Sequence, residues 1–151
     1  MLKLAALVLL LLPVPSRSPD PYDEHANARA EIDRMLQCAR DEGKPMLVMF
    51  GANWCPWCRD LDQLLECDRQ LSAEADRVFL RLNVDIGQYD RNLDLAAGLG
   101  LSNLDDTGIP MLVILSPDGS VRGIKNSEDF VVRSHYSRDR IRRFLDSYAR
   151  H

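Results

Sequence analysis

No apolar run in this 151-residue chain reaches the roughly 18 to 20 residues that cross a bilayer as a helix. Positive charge is not in excess either: 19 Lys and Arg stand against 23 Asp and Glu, for a formal net charge of −4. A nucleic-acid binder needs a basic face for phosphates, and this balance argues against one. There are only four cysteines, too few for a disulfide-dense miniprotein. The three histidines, His25, His135 and His151, are scattered. No internal repeat or low-complexity tract is present. What remains is a composition of 46% hydrophobic and 28% charged residues, that of one globular domain.

The chain opens with Met1-Leu2-Lys3, an apolar block from Leu4 to Leu12, and then Pro13-Val14-Pro15-Ser16. One early positive charge, a short apolar stretch and small or helix-breaking residues after it have the layout of a secretory signal peptide. We therefore expect residues 1–18 to be a signal peptide, 19–24 a polar, Pro-rich linker, and 25–151 the domain. No cysteine follows the apolar block before Cys38, which leaves no site for a lipid-modified N-terminus. A periplasmic or secreted location follows, where disulfides can form.

Past the linker, Ala26 to Asp41 carries Ile32, Met35, Leu36 and Ala39 at helical spacing. Gly43 ends that helix and Pro45 prevents its resumption. Met46-Leu47-Val48-Met49-Phe50 is a continuous apolar run, expected as a strand buried on both faces. A turn, Gly51-Ala52-Asn53-Trp54, leads into a helix from Cys55 that aligns Leu61, Leu64 and Leu65. Val78 to Val84 reads as a second strand, and Asp90 as the cap of a short helix that Gly98 and Gly100 break. Met111 to Leu115 is a third strand, and Ser116-Pro117-Asp118-Gly119 turns it back into an antiparallel partner over Ser120 to Lys125. The last helix, from about Ser137, repeats Ile141, Phe144, Leu145 and Tyr148. This order describes an α/β domain: a central sheet with helices on both faces.

Cys55-Pro56-Trp57-Cys58 lies between the buried strand and a helix. Two thiols two residues apart at a helix start can close a small disulfide ring with little backbone movement. Cys55 would sit at the helix N-terminus, where unpaired N–H groups and the macrodipole favour an anion. That lowers its pKa and makes it the nucleophilic, more exposed thiol. Pro56 suits the first helical position, and Arg59 adds a positive charge just beyond the motif. Cys55 would attack a disulfide, and Cys58, one helical turn on, would resolve the mixed disulfide. Two other readings stay open. A structural zinc needs four ligands and one Cys-x-x-Cys supplies two, so no metal is expected. A purely structural disulfide would make the chain a binding module without turnover.

The residues Trp54-Cys55-Pro56-Trp57-Cys58, with Arg81-Leu82-Asn83-Val84-Asp85 and Gly108-Ile109-Pro110, make the chain resemble the thioredoxin superfamily. Glu42-Gly43-Lys44-Pro45 and the Asn53 to Cys58 stretch are similar to exported bacterial thioredoxin-like proteins. The resemblance covers about residues 25 to 150 and implies the thioredoxin fold, a mixed sheet of four or five strands flanked by helices. It implies Cys55 as the attacking and Cys58 as the resolving cysteine of a redox-active disulfide. Pro110 matches the cis-proline beside that disulfide, and Ile109 would offer backbone hydrogen bonds to an extended substrate. Trp54, Pro56 and Trp57 complete the expected substrate contacts, with Trp54 partly in the core and Trp57 exposed. Protein thiols and disulfides are the implied partners of a monomer needing no cofactor. A reductant in an oxidising compartment would also need a membrane-bound electron donor.

The chain departs from the family at several points. Met49 stands where thioredoxins carry a buried aspartate that helps deprotonate the resolving thiol, and Met accepts no proton. Water or another carboxylate would then act, or Cys58 would turn over slowly. Arg81 replaces a frequent lysine. With no histidine between the cysteines, a reducing or isomerising role is expected over a strongly oxidising one. Asp85 to Gly108 is longer than in simple thioredoxins and reads as a specificity loop. Cys38 and Cys67 could form a second disulfide or stay as buried free thiols.

Overall fold

The computed structural model describes residues 20–149. The expected signal peptide, residues 1–18, lies outside them. Helix α1 (Ala28–Glu42) begins where the Asn27 side chain accepts the Ala30 N–H. It ends at Gly43, whose φ of 65° lets its N–H reach back to the Ala39 carbonyl. Pro45 then releases the chain into strand β1 (Met46–Gly51), buried at every position. Helix α2 (Pro56–Cys67) follows, and then a helix the sequence reading did not separate, α3 (Arg69–Val78).

Asp68 is the joint between them. It closes α2, and its carboxylate accepts the Gln70 and Leu71 N–H groups to start α3. Strand β2 (Leu80–Asp85) consequently starts two residues later than the apolar run suggests: Val78 ends α3 and Phe79 caps it. After short helices α4 (Leu93–Gly98) and α5 (Leu104–Thr107) come strands β3 (Met111–Leu115) and β4 (Val121–Asn126). A 3₁₀ turn over Ser127–Phe130 leads to a two-residue ladder of β5 (Val131–Val132) and β6 (His135–Tyr136), and then to helix α6 (Arg138–Tyr148). Asp90 does not cap α4; its carboxylate takes the Gln88 N–H, and Asn92 stands at the cap position.

The main sheet runs β2-β1-β3-β4, with β1 parallel to β2 and antiparallel to β3. Alternation along β1 divides the core. Met46, Val48 and Phe50 join Ile32 and Ala39 of α1 and Ala96 of α4. Leu47 and Met49 join Leu61 and Leu65 of α2, Leu71 and Ala75 of α3, and Ile141 and Leu145 of α6. Each large apolar side chain so buried contributes about 1.5 to 3 kcal/mol before entropy is counted. The sheet therefore carries helices on both faces, as the order of elements implied, and β1 aims its C-terminal end at the Cys-x-x-Cys turn.

Residues 20–24, read from sequence as linker, contain one of the most buried side chains of the molecule. Tyr22 is 1% exposed. Asn53 accepts its backbone N–H at 3.0 Å and donates to its carbonyl at 2.8 Å. Asn83 donates to the Pro21 carbonyl at 3.0 Å. The segment is a strap laid across the end of β1.

Candidate active site

Cys55 occupies the N-cap of α2 and Pro56 its first turn. With an extended backbone at Cys55 (φ −84°, ψ 113°), its Sγ accepts the Cys58 N–H at 3.3 Å. In the thiol form it points to the Ile109 carbonyl at 3.7 Å. The Ile109–Pro110 peptide bond is cis. Both cysteines are buried, at 4% for Cys55 and 1% for Cys58, and all four cysteines of the chain are free thiols.

Their acidities are driven apart. A hydrogen bond from the Cys58 thiol, joined by the backbone N–H groups of Cys58 and Trp57, lowers Cys55 to about 7 against the opposing effect of burial. The same hydrogen bond, now lost on ionisation, and burial push Cys58 well above the ordinary thiol range. Asp60 opposes the Cys55 thiolate. Near neutrality one sulfur is a nucleophile and the other holds a proton, the division of labour that disulfide exchange needs.

Around this pair Trp54, Pro56 and Trp57 are exposed, Ile109 is half-buried and Pro110 buried. Trp54 is 47% exposed against 39% for Trp57, so Trp54 is the more open of the two rather than partly core. Its Nε1 donates to the Gly87 carbonyl at 2.7 Å. Trp57 packs on Tyr136 of β6, a neighbour the sequence reading treated as an ordinary position. Arg81 is not at the site: it pairs with Glu66 at 3.1 Å and Asp76 at 2.8 Å, tying α2 and α3 to β2. Cys38 on α1 and Cys67 at the end of α2 sit on helices that cover opposite faces of the sheet; of the two alternatives, the second disulfide is not formed, and the free thiols are half-buried at Cys38 and exposed at Cys67 rather than buried. Among the described residues no group of three or more His, Cys, Asp or Glu side chains is placed to hold a metal ion.

Residues missed from the sequence are Tyr22, Asn53, Asn83 and Asp62. Asn83 donates to Asp62 at 2.7 Å as well as to the strap. Nothing local marks these residues, because their partners lie 21 to 62 positions away.

A four-stranded mixed sheet, helices on both faces and a Cys-x-x-Cys at a helix N-terminus beside a cis-proline define a thioredoxin fold. The family model described as Thioredoxin-like matches residues 27–117, and the chain belongs to that family. It is similar to a disulphide isomerase from Xylella fastidiosa Temecula1, with 34% identity and a TM-score of 0.74 over 84% of this chain and 95% of that one. The C-terminal domain of Neisseria meningitidis DsbD shares the fold, with a TM-score of 0.60 at 17% identity over 82% of this chain and 97% of that one. The thiol:disulfide interchange protein DsbD 2 of Pseudomonas aeruginosa is 31% identical over 94 residues, 62% of this chain and 15% of that protein. DsbD of Ralstonia nicotianae is 28% identical over 109 residues, 68% of this chain and 17% of that protein. The chain thus spans a small part of the curated relatives it matches.

Proposed function

We propose that the protein is a thiol–disulfide oxidoreductase acting on protein disulfides, with Cys55 as attacking and Cys58 as resolving cysteine. The observation that carries this reading is the Cys55 sulfur at a helix N-cap, taking the Cys58 N–H at 3.3 Å with its pKa lowered to about 7. The Cys55 thiolate attacks a substrate disulfide; one substrate sulfur leaves and the other joins Cys55. Cys58 then attacks Cys55 Sγ, closing the Cys55–Cys58 disulfide and releasing the second substrate thiol. Substrate disulfide is reduced and the protein dithiol oxidised.

The exposed Trp54, Pro56 and Trp57 and the Ile109–Pro110 edge form the surface that receives the substrate chain. The direction is reducing or isomerising, because no histidine charge steadies the Cys55 thiolate beyond the bonds described. The relatives' printed names, a disulphide isomerase and thiol:disulfide interchange proteins, support the same class. We extend the reading to an exported domain that includes the 20–24 strap as well as the residues from 25 on, supplied with electrons by a membrane-bound donor.

Insulin-disulfide reduction with dithiothreitol tests the activity: the protein should accelerate it and Cys55→Ser should not. Cys58→Ser should retain substrate as a mixed disulfide. A redox titration by tryptophan fluorescence tests direction. A potential below about −230 mV fits a reductant or isomerase, and one above about −160 mV an oxidant. A folded protein that neither accelerates reduction nor titrates reversibly would be a binding module with a structural disulfide.

A further inference from the structure

The exchange described above leaves one buried polar group without a task. The Tyr22 hydroxyl is enclosed, and among the described residues it has no hydrogen-bonded nitrogen or oxygen partner. A buried hydroxyl with no nitrogen or oxygen partner calls for an explanation, and the side chain that its electrostatics pair it with is the Cys58 thiol. Its position is not accidental slack, since Asn53 holds both backbone groups of Tyr22 and Asn83 holds the residue before it.

The hydroxyl meets the resolving cysteine over Gly51. A side chain at Gly51 would bring its Cβ to 2.5 Å from the Tyr22 oxygen and 2.8 Å from Cys58 Sγ. The missing Cβ is what lets the phenol and the thiol converge above the end of β1. Tyr22, Cys55 and Cys58 form one buried cluster with Ile109 against it. Meanwhile the β1 side chain expected to serve Cys58 is Met49, which can neither donate nor accept a proton.

We propose that Tyr22 is the hydrogen-bond donor to the Cys58 thiolate during resolution of the mixed disulfide, a role resting on the assignment of Cys55 and Cys58 as the redox pair. Before substrate arrives, Cys58 gives its thiol hydrogen to the Cys55 sulfur. Once Cys55 is in a mixed disulfide that acceptor charge is gone, and Cys58 must ionise in a buried site. The Tyr22 O–H is the one side-chain donor that favours the anion, beside the backbone N–H of Ala52. Burial first, then the negative charge of Cys58, raises the phenol well above its ordinary pKa, so it keeps its proton to donate. The step balances without a further reactant: the Cys58 sulfur bonds to Cys55 Sγ, the Cys55–substrate bond breaks, and the Cys58 proton ends on the departing substrate thiolate.

The titratable groups facing this pair are Cys55, Asp60 and Asp62 of α2, Tyr89 after β2 and Tyr136 of β6. The test is Tyr22→Phe, which removes the oxygen alone, in a Cys38→Ser, Cys67→Ser background. Reduced protein is mixed with 5,5′-dithiobis(2-nitrobenzoate). The first thionitrobenzoate released reports attack by Cys55 and the second reports resolution by Cys58.

In Tyr22→Phe the first phase should keep its rate. The second should slow about tenfold near neutrality, the effect of one hydrogen bond to an anion, and its pH midpoint should rise. Unchanged second-phase rate and midpoint, or equal slowing of both phases, overturns the proposal. Should Tyr22→Phe fail to fold, Asn53→Ala, which frees the strap while keeping the phenol, is to show the same selective loss; its absence is equally decisive. A parent protein that releases no second thionitrobenzoate would remove the redox-pair assignment itself, and this role with it.

Discussion

Tyr136 holds Trp57 in place from two directions. The rings meet edge to face at 5.2 Å and 82°, and the Tyr136 hydroxyl donates to the Trp57 carbonyl at 3.1 Å. The small β5–β6 ladder thus braces the second of the two residues between the cysteines. Trp57→Ala should weaken substrate binding more than the bond-exchange step, and Tyr136→Phe should do the same more mildly. An edge-to-face pair is worth about 0.5 to 1.5 kcal/mol, so Tyr136→Ala should raise KM about three- to tenfold. Steady-state kinetics on a protein disulfide check this; a loss confined to kcat would contradict it.

Alkylation of reduced protein by iodoacetamide should report Cys55 directly. Its rate should rise with a midpoint near pH 7, where Cys55 lies, not near 9 as for an ordinary thiol. The sign for stability follows. A thiol whose folded pKa is depressed stabilises the reduced fold fully above pH 9 and loses that contribution as pH falls through 7. Urea midpoints of the reduced protein should therefore climb between those values, and Cys55→Ser should flatten the climb.

Gly51→Ala should be costly despite its small size. The added Cβ would lie 2.5 and 2.7 Å from the Tyr22 oxygen and ring carbon and 2.8 Å from Cys58 Sγ. Overpacking of this kind costs about 1 to 3 kcal/mol, readable as a lower urea midpoint at unchanged slope. A variant as stable as the parent would show that the strap is free to move aside.

Arg81→Met should destabilise the protein by about 1 to 3 kcal/mol without altering Cys55 alkylation. Its guanidinium reaches the Leu65 carbonyl at 3.1 Å as well as Glu66 and Asp76. Arg81→Lys should recover only part of the loss, since an ammonium cannot span three acceptors in a fixed fork. Parallel urea melts and alkylation rates separate the two effects.

Local pattern carried the motif and most of the sheet. The β1 run, the Cys55 cap and the spacing of Ile141, Phe144 and Leu145 on α6 are short-range signals, and each appears where expected. The boundary at Val78 was misjudged because Leu71, Ala75 and Val78 share a helical face that the following apolar run obscures. The β5–β6 turn uses Arg133 and Ser134 at positive φ, residue types that announce no such turn. Tyr22 was invisible for a different reason. A tyrosine among prolines reads as linker until Asn53 and Asn83, far along the chain, are seen to hold it.

Placing Cys38 and Cys67 on opposite faces of the sheet also sets the electron capacity of the molecule. If Cys55 and Cys58 are the redox pair proposed above, they are the one dithiol among the described residues placed to close on itself, and these residues store a single pair of electrons. Any residue that steadies one form of that couple over the other tenfold moves its midpoint by about 30 mV, undiluted by a second couple.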